Sequence, residues 1–232
     1  YDGGFGPWLD LSTGINPQPY PFDPPPDVLW QALPDKALMD GLIAAAAAYY
    51  GADGPQCLVA APGSQALIQI LPRLVEPGRT AILGPTYGEF DPAFSAAGHR
   101  VNYIEDIAEA DGYDIAVIVN PNNPDGRHIA PERLADLAAT LGGKGGLLVV
   151  DEAFCDPEPA ISAVPFAART GCVVLRSFGK FFGLAGIRLG FAMARPAFAA
   201  RMRSALGPWP VSGPAAWIGA RALSDRQWIA ET

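Results

Sequence analysis

The chain has 232 residues, half of them hydrophobic, with 24 acidic against 16 basic side chains and a net charge of −8. A protein this acidic lacks the basic patch that phosphate neutralisation requires, which argues against a nucleic-acid or anionic-membrane partner and for small molecules. The length suits one large core rather than two complete domains, and apolar runs such as 42–50 fall short of the roughly 18–20 residues of a membrane span.

In chain order, residues 1–34 are rich in Pro, Gly and aromatics (GINPQPYPFDPPP) and predict an extended arm. Pro34-Asp35 opens a helix, the Ala-rich segment 36–50 propagates it, and Gly51 closes it. Short apolar, often β-branched runs follow at 57–60, 80–83, 115–119, 147–150, 172–175 and 191–194, separated by helix-length segments or longer connections. This alternation predicts an α/β fold of three layers, with a mainly parallel sheet covered on both faces. There is no internal repeat or dividing linker, and residues 228–232 read as helix without a stop signal. No charged-then-apolar leader opens the sequence. Cys57, Cys155 and Cys172 have no C-x-x-C spacing and the only histidines are His99 and His128, so neither a disulfide framework nor a metal site is expected and a cytoplasmic location fits.

In an open α/β sheet, ligands bind outside the carboxyl ends of the strands, and five runs end in unusual polar groups. After 57–60 comes Pro62-Gly63-Ser64-Gln65, after 80–83 Gly84-Pro85-Thr86-Tyr87, and after 115–119 Asn120-Pro121-Asn122-Asn123-Pro124-Asp125-Gly126. After 147–150 comes Asp151-Glu152-Ala153-Phe154, and after 172–175 Arg176-Ser177-Phe178-Gly179-Lys180. Taken singly these are ordinary caps and turns; five together point to a site. Lys180 is one of only three lysines and lies among aromatic and apolar residues. Burial there favours the neutral, nucleophilic amine that a Schiff-base lysine needs. The residue after Lys180 is Phe, which excludes a Walker loop, and no G-x-G-x-x-G follows the first run, which disfavours a Rossmann nucleotide binder.

In order, N-P-N-N-P-x-G (120–126), D-E-A-F (151–154), S-x-x-K (177–180) and G-I-R-L-G (186–190) resemble the fold-type I pyridoxal-phosphate enzymes, the aminotransferase class I/II superfamily. Within it, the opening W-L-D-L-S-T-G-I-N-P (8–17) and L-R-S-F-G-K-F-F-G-L-A-G-I-R-L-G (175–190) are most similar to the threonine-phosphate decarboxylases of cobalamin biosynthesis, with histidinol-phosphate aminotransferases as near relatives. The resemblance implies that Lys180 bonds the aldehyde of pyridoxal 5'-phosphate and that Asp151 pairs with its ring nitrogen. It implies that Asn123 bonds the phenolic oxygen, that Tyr87 stacks on the ring, and that Ser64, Gln65, Ser177 and Arg188 hold the phosphate, with Asn16 facing the substrate. A guanidinium and helix N-terminal N–H groups suit a phosphate dianion on physical grounds as well.

The implied reaction is decarboxylation of L-threonine O-3-phosphate to (R)-1-aminopropan-2-ol phosphate by a homodimer acting on a small phosphorylated amino acid. An aminotransferase would use the same residues, and a non-catalytic, truncated cofactor domain is the alternative of another class. Phe154, Leu33 and Gly179 stand where relatives carry a tyrosine, a tyrosine reaching the partner subunit, and a hydroxyl residue. Relatives also continue into a C-terminal small domain, so the chain is expected to comprise an arm (1–34), a cofactor-binding large domain (35–215) and the first helix (216–232) toward a small domain that is missing or incomplete. Arg195, Arg201 and Arg203 are expected to be helix charges rather than substitutes for that domain's carboxylate-binding arginine.

Overall fold

The computed structural model describes residues 12–232; residues 8–11 of the opening motif and the start of the arm lie outside them. The described part of the arm is irregular apart from one turn, α1 (Val28–Gln31). Helix α2 (Lys36–Tyr50) starts where Asp35 accepts a hydrogen bond from the Leu38 N–H and ends at Gly51, whose φ of 71° is left-handed. The remaining elements alternate: β1 (Leu58–Ala61), α3 (Ser64–Ile70), β2 (Arg79–Leu83), α4 (Phe90–Ala96), β3 (Arg100–Ile104) and β4 (Ile115–Val119). Then come α5 (Pro131–Gly143), β5 (Leu147–Asp151), α6 (Val164–Ala167), β6 (Cys172–Ser177), α7 (Phe178–Phe181), β7 (Gly190–Ala194), α8 (Pro196–Leu206), α9 (Gly213–Ser224) and α10 (Arg226–Glu231).

One sheet of seven strands runs in the order β1-β7-β6-β5-β4-β2-β3. β7 is antiparallel to β1 and β6, and every other pairing is parallel, so strands β1 to β6 end on the same side. The strand residues alternate between two cores. Val59, Ile82, Val117, Val149 and Val173 pack with Leu67 of α3, Phe90 and Phe94 of α4, and Phe198 and Met202 of α8. Ala60, Ile118, Val150 and Val174 pack on the other face with Leu42 and Ala46 of α2, Leu134 and Leu137 of α5, and Ala215 and Ala222 of α9. The expected three layers and mainly parallel sheet are present.

Two features differ from expectation. β3 is a seventh strand: it lies at the sheet edge with Arg100, Asn102 and Tyr103 exposed, so it lacks the apolar run that marked the other strands. The last residues are also not one helix, because the Asp225 carboxylate accepts from the Trp228 N–H and starts α10 anew after α9. The 215/216 boundary falls inside α9, whose buried residues share the core of α2. Among the described residues no helix is long and apolar enough to cross a membrane.

Close approach of α3 to β7 depends on Gly190, where an added Cβ would lie 2.3 Å from the Ser64 backbone nitrogen and 2.6 Å from the Gly63 carbonyl carbon. Gly190→Ala is expected to cost about 1–3 kcal/mol of stability by overpacking against backbone that cannot rotate away. Urea unfolding measures this, and equal midpoints for variant and wild type would mean that the approach is looser than described.

Candidate active site

The carboxyl ends of β1, β2, β4, β5 and β6 and the amino end of the antiparallel β7 meet at one side of the sheet. A cavity of about 160 Å³ opens there. Ser64 and Gln65 reach it from the start of α3, Tyr87 from the β2 loop and Asn123 from the β4 loop. Asp151 ends β5, Ser177 ends β6, Lys180 follows on α7, and Arg188 precedes β7. All eight residues expected from the sequence to hold the cofactor thus line one cavity, along with Val119, Ala153 and Phe154.

Local structure explains how each arrives. Arg188 has a left-handed backbone (φ 54°), a conformation that costs a non-glycine residue energy and is held by its surroundings. Its guanidinium passes over Gly63, where a Cβ would stand 2.6 Å from Nη2. The loop carrying Asn123 is built on two buried neighbours. The Asn120 amide bonds the Ile129 N–H and the carbonyls of Ile129 and Ile161, and the Asn122 amide bonds Thr86, Pro85 and Asp125. Lys180 is carried by a single turn whose Phe178 and Phe182 are fully buried and stack at 4.4 Å, with Trp228 stacked on Phe182 at 5.5 Å. Gly179 admits no side chain there, since a Cβ would fall 2.6 Å from the Ala185 Cα, which accounts for the missing hydroxyl.

Three residues behave differently from a simple lining. The Gln65 side chain is already engaged, donating to Glu89 at 2.7 Å and accepting from the Tyr87 hydroxyl at 3.2 Å, so it orients Tyr87 and leaves its backbone N–H for a ligand. Glu89 gave no sign in the sequence, because its partner is 24 residues away. Asn16 lies at a neighbouring cavity of about 310 Å³ that also touches Lys180, Phe154 and Thr232. Its amide nitrogen donates to the Phe181 carbonyl and its oxygen accepts from the Gln18 N–H, so it fastens the arm to the lysine segment. Backbone bonds from Asn16 to Lys180 and from Tyr20 to Phe182, both 2.9 Å, complete that attachment. Phe154 places its ring 5.3 Å from the Lys180 Nζ. Leu33 is exposed. Arg195, Arg201 and Arg203 lie at the opposite end of the sheet, where Arg203 bonds the Leu58 carbonyl at 2.9 Å and Arg201 that of Leu74.

Comparisons with known proteins agree with one another. The family model described as aminotransferase class I and II matches residues 29–232. A threonine-phosphate decarboxylase of Sinorhizobium sp. is 48% identical over 221 residues, spanning 94% of this chain and 66% of its own length. One of Pseudomonas aeruginosa is 46% identical over 231 residues, spanning 98% of this chain and 68% of its own length. The chain therefore spans about two thirds of the curated relatives it matches. Among solved structures, a histidinol-phosphate aminotransferase from Clostridium acetobutylicum superposes with a TM-score of 0.83 over 97% of this chain and 72% of that one at 24% identity. Another from Sinorhizobium meliloti, in complex with pyridoxal-5'-phosphate, superposes with a TM-score of 0.70 over 94% of this chain and 65% of that one at 25% identity.

Charge in the cavity is set by burial. Burial pushes the Asp151 carboxyl up to about 6; its bond from the Ala153 N–H (3.0 Å) opposes this, the neighbouring Glu152 adds to it, and Lys180 opposes it. Tyr87 is also raised, by burial first and then by Glu89 and Asp151, against Arg188. Because the folded value for Asp151 lies above the ordinary one, the native state carries a costly ionised group above about pH 6 and regains that stability as pH falls toward 4. In ligand-free protein, Asp151→Asn is expected to stabilise the fold by about 3 kcal/mol at pH 8 and by less than about 1 kcal/mol at pH 4. Urea unfolding at both pH values measures the gap. A gap that does not shrink at pH 4 would contradict the burial of charge.

Proposed function

The chain belongs to the aminotransferase class I and II family, and on that premise we propose that it is the cofactor-binding part of a pyridoxal-phosphate enzyme that decarboxylates L-threonine O-3-phosphate to (R)-1-aminopropan-2-ol phosphate. The observation that carries this reading is the meeting of Lys180, Asp151 and Arg188 in one cavity, in a chain 46–48% identical to two threonine-phosphate decarboxylases. Curated histidinol-phosphate aminotransferases are more distant, at 30–35% identity over 77–80% of the chain, so decarboxylation is preferred to transamination. The product belongs to cobalamin biosynthesis through the same resemblance.

The donor set fits the cofactor. One end of the cavity presents a guanidinium and the first-turn N–H groups of α3, which have no carbonyl partner within the helix and suit a phosphate. The clearance over Gly63, which a Cβ would fill, keeps that end open beside Arg188. The middle offers one amine, Lys180, and the floor offers a buried carboxyl, Asp151, whose anion needs a cationic N–H to be stable there. Bound in this cavity, pyridoxal phosphate supplies an aldehyde that joins to an amine and a protonated ring that takes up the electron pair left at Cα when a bond to it breaks.

The residues then divide the work. Lys180 would present its amine to the aldehyde and would be placed to carry a proton at Cα. Asp151 would accept a hydrogen bond from the ring N–H and favour its protonated form. Asn123 would donate to the phenolic oxygen, and Tyr87, whose hydroxyl donates to Gln65, would lie against the ring. The Ser64 and Ser177 hydroxyls, the Gln65 N–H and the Arg188 guanidinium hold the phosphate. Asn16 holds the arm against the lysine segment, so that substrate enters between the arm and Phe154. Phe154 cannot donate a hydrogen bond to the phenolic oxygen as a tyrosine would, which leaves Asn123 to do so. The arm presents Phe22, Val28, Trp30 and Leu33 to solvent, apolar exposure that supports homodimer formation. A cytoplasmic place of action goes with this reading.

Adding pyridoxal phosphate to the protein is expected to produce the near-visible absorption band of a lysine-bound cofactor, and Lys180→Ala is expected to abolish it. With L-threonine O-3-phosphate the expected products are CO₂ and an amine. A 2-oxo product with cofactor in the amine form would establish transamination instead, and a band without turnover would leave a cofactor-binding protein that is not catalytic.

A further inference from the structure

Behind the cavity, on the opposite face of the same strand ends, lies a buried cluster of charges that the proposed chemistry does not use. Along β4, β5 and β6 the odd-numbered residues Val119, Asp151 and Ser177 line the cavity, whereas Val150 and Val174 face the other core. Arg176 therefore projects from the back of β6, and Glu152 follows Asp151 on the back of β5. Their side chains are 3% and 0% exposed and pair at 2.8 Å between Nη2 and Oε2. Ser162 bridges them, its hydroxyl donating to Glu152 at 2.8 Å and accepting from Arg176 at 3.0 Å, while the Ala163 N–H donates to the second Glu152 oxygen at 2.6 Å. Asp156 lies 3.8 Å from the guanidinium and accepts from the Tyr49 hydroxyl at 3.1 Å, and the Tyr50 ring stands 5.0 Å from the guanidinium carbon.

Stability alone is a poor explanation for such a cluster. Desolvation costs an ion pair in a protein core about as much as the pairing returns, and apolar replacements are often as stable. Moreover, the Tyr50 hydroxyl, one Asp156 oxygen and the Arg176 Nε have no hydrogen-bond partner among the described residues. The cluster is placed to act on geometry and charge at the cavity. It joins the residue after Asp151 to the residue before Ser177, across two strands that also share the Glu152 N–H to Leu175 carbonyl bond at 2.9 Å. It also pairs the carboxylate nearest in sequence to Asp151. Burial works against the Arg176 charge, but Glu152 and Asp156 outweigh it and keep the guanidinium protonated.

We propose that Arg176 is a positioning residue: through its ion pair with Glu152 it clamps the carboxyl ends of β5 and β6 from behind and keeps Glu152 paired, so that Asp151 and Lys180 present an ionised carboxylate and an amine to the same cofactor. This rests on the pyridoxal-phosphate reading above. An unpaired Glu152 anion beside Asp151 would disfavour the second charge that the ring nitrogen requires.

The test compares Arg176→Gln, Arg176→Lys, Glu152→Gln and the double variant Glu152→Gln/Arg176→Gln by titration with pyridoxal phosphate, following the near-visible band, and by urea unfolding of the ligand-free proteins. Arg176→Gln is expected to weaken cofactor affinity by about tenfold or more, since removing one partner leaves a buried charge alone. Arg176→Lys is expected to recover part of the loss, and the double variant most of it, because no orphaned carboxylate remains; a merely structural role would lower the urea midpoint and leave the cofactor affinity of the folded variants unchanged. Should Arg176→Gln fail to fold, the double variant and Arg176→Lys carry the comparison. Wild-type affinity in folded Arg176→Gln, or no recovery in the double variant, would overturn the assignment of Arg176 while leaving the cofactor reading intact. A wild-type protein that gives no band would overturn the cofactor reading and this inference with it.

Discussion

A carboxylate carried into the protein interior at the end of a central strand governs this site. Asp151 is 3% exposed and closes β5, in the middle of the sheet, where water cannot stabilise its charge. Burial therefore raises its affinity for a proton, and a cationic partner in the cavity favours the ionised form. Lys180 in front and the Ala153 N–H beside it answer that demand, while Glu152, the next residue, works against it. Stability is given up at this position for a charge placed ahead of its ligand, the trade-off expected where a site must be organised before it binds.

Topology makes the other half of the site possible. Five parallel ends would crowd one side of the sheet with loops, but β7 runs the opposite way and delivers Arg188 from its amino end onto that same side. The return is tight, because Gly190 lets α3 lie directly against β7 and Gly63 leaves clearance for the guanidinium. Position and charge are therefore consequences of strand direction and of two missing Cβ atoms. The arm adds a further element, bonded through Asn16 and Tyr20 to the backbone on either side of Lys180.

Much of this was legible in the sequence because it is local. Short apolar, often β-branched runs marked six strands, and polar groups directly after five of them marked the site, since strand direction in an α/β sheet puts such residues together without knowledge of register. β3 escaped because an edge strand with Arg100, Asn102 and Tyr103 in solvent has no apolar period to detect. The Arg176–Glu152 pair escaped for a different reason. Two charged residues 24 positions apart become partners only once β5 and β6 are in register, and each alone reads as a solvated strand end. Gln65 was placed at the phosphate by the family resemblance; that its side chain orients Tyr87 and meets Glu89 depends on the β2 loop folding over α3. The boundary at 215/216 came from the small domain into which relatives continue; α9, in which it falls, packs on the core of α2.

The scarcity of lysine allows a direct chemical test of the central claim. Besides Lys180 the chain contains only Lys36 and Lys144; Lys36 is exposed on α2, and Lys144 donates to the Asp111 carbonyl beyond α5. Incubation with pyridoxal phosphate, reduction with borohydride and peptide mapping by mass spectrometry locates the amine that the cofactor has joined. The account predicts a single adduct, on the peptide carrying Lys180. Adducts on Lys36 or Lys144 with Lys180 unmodified would contradict it.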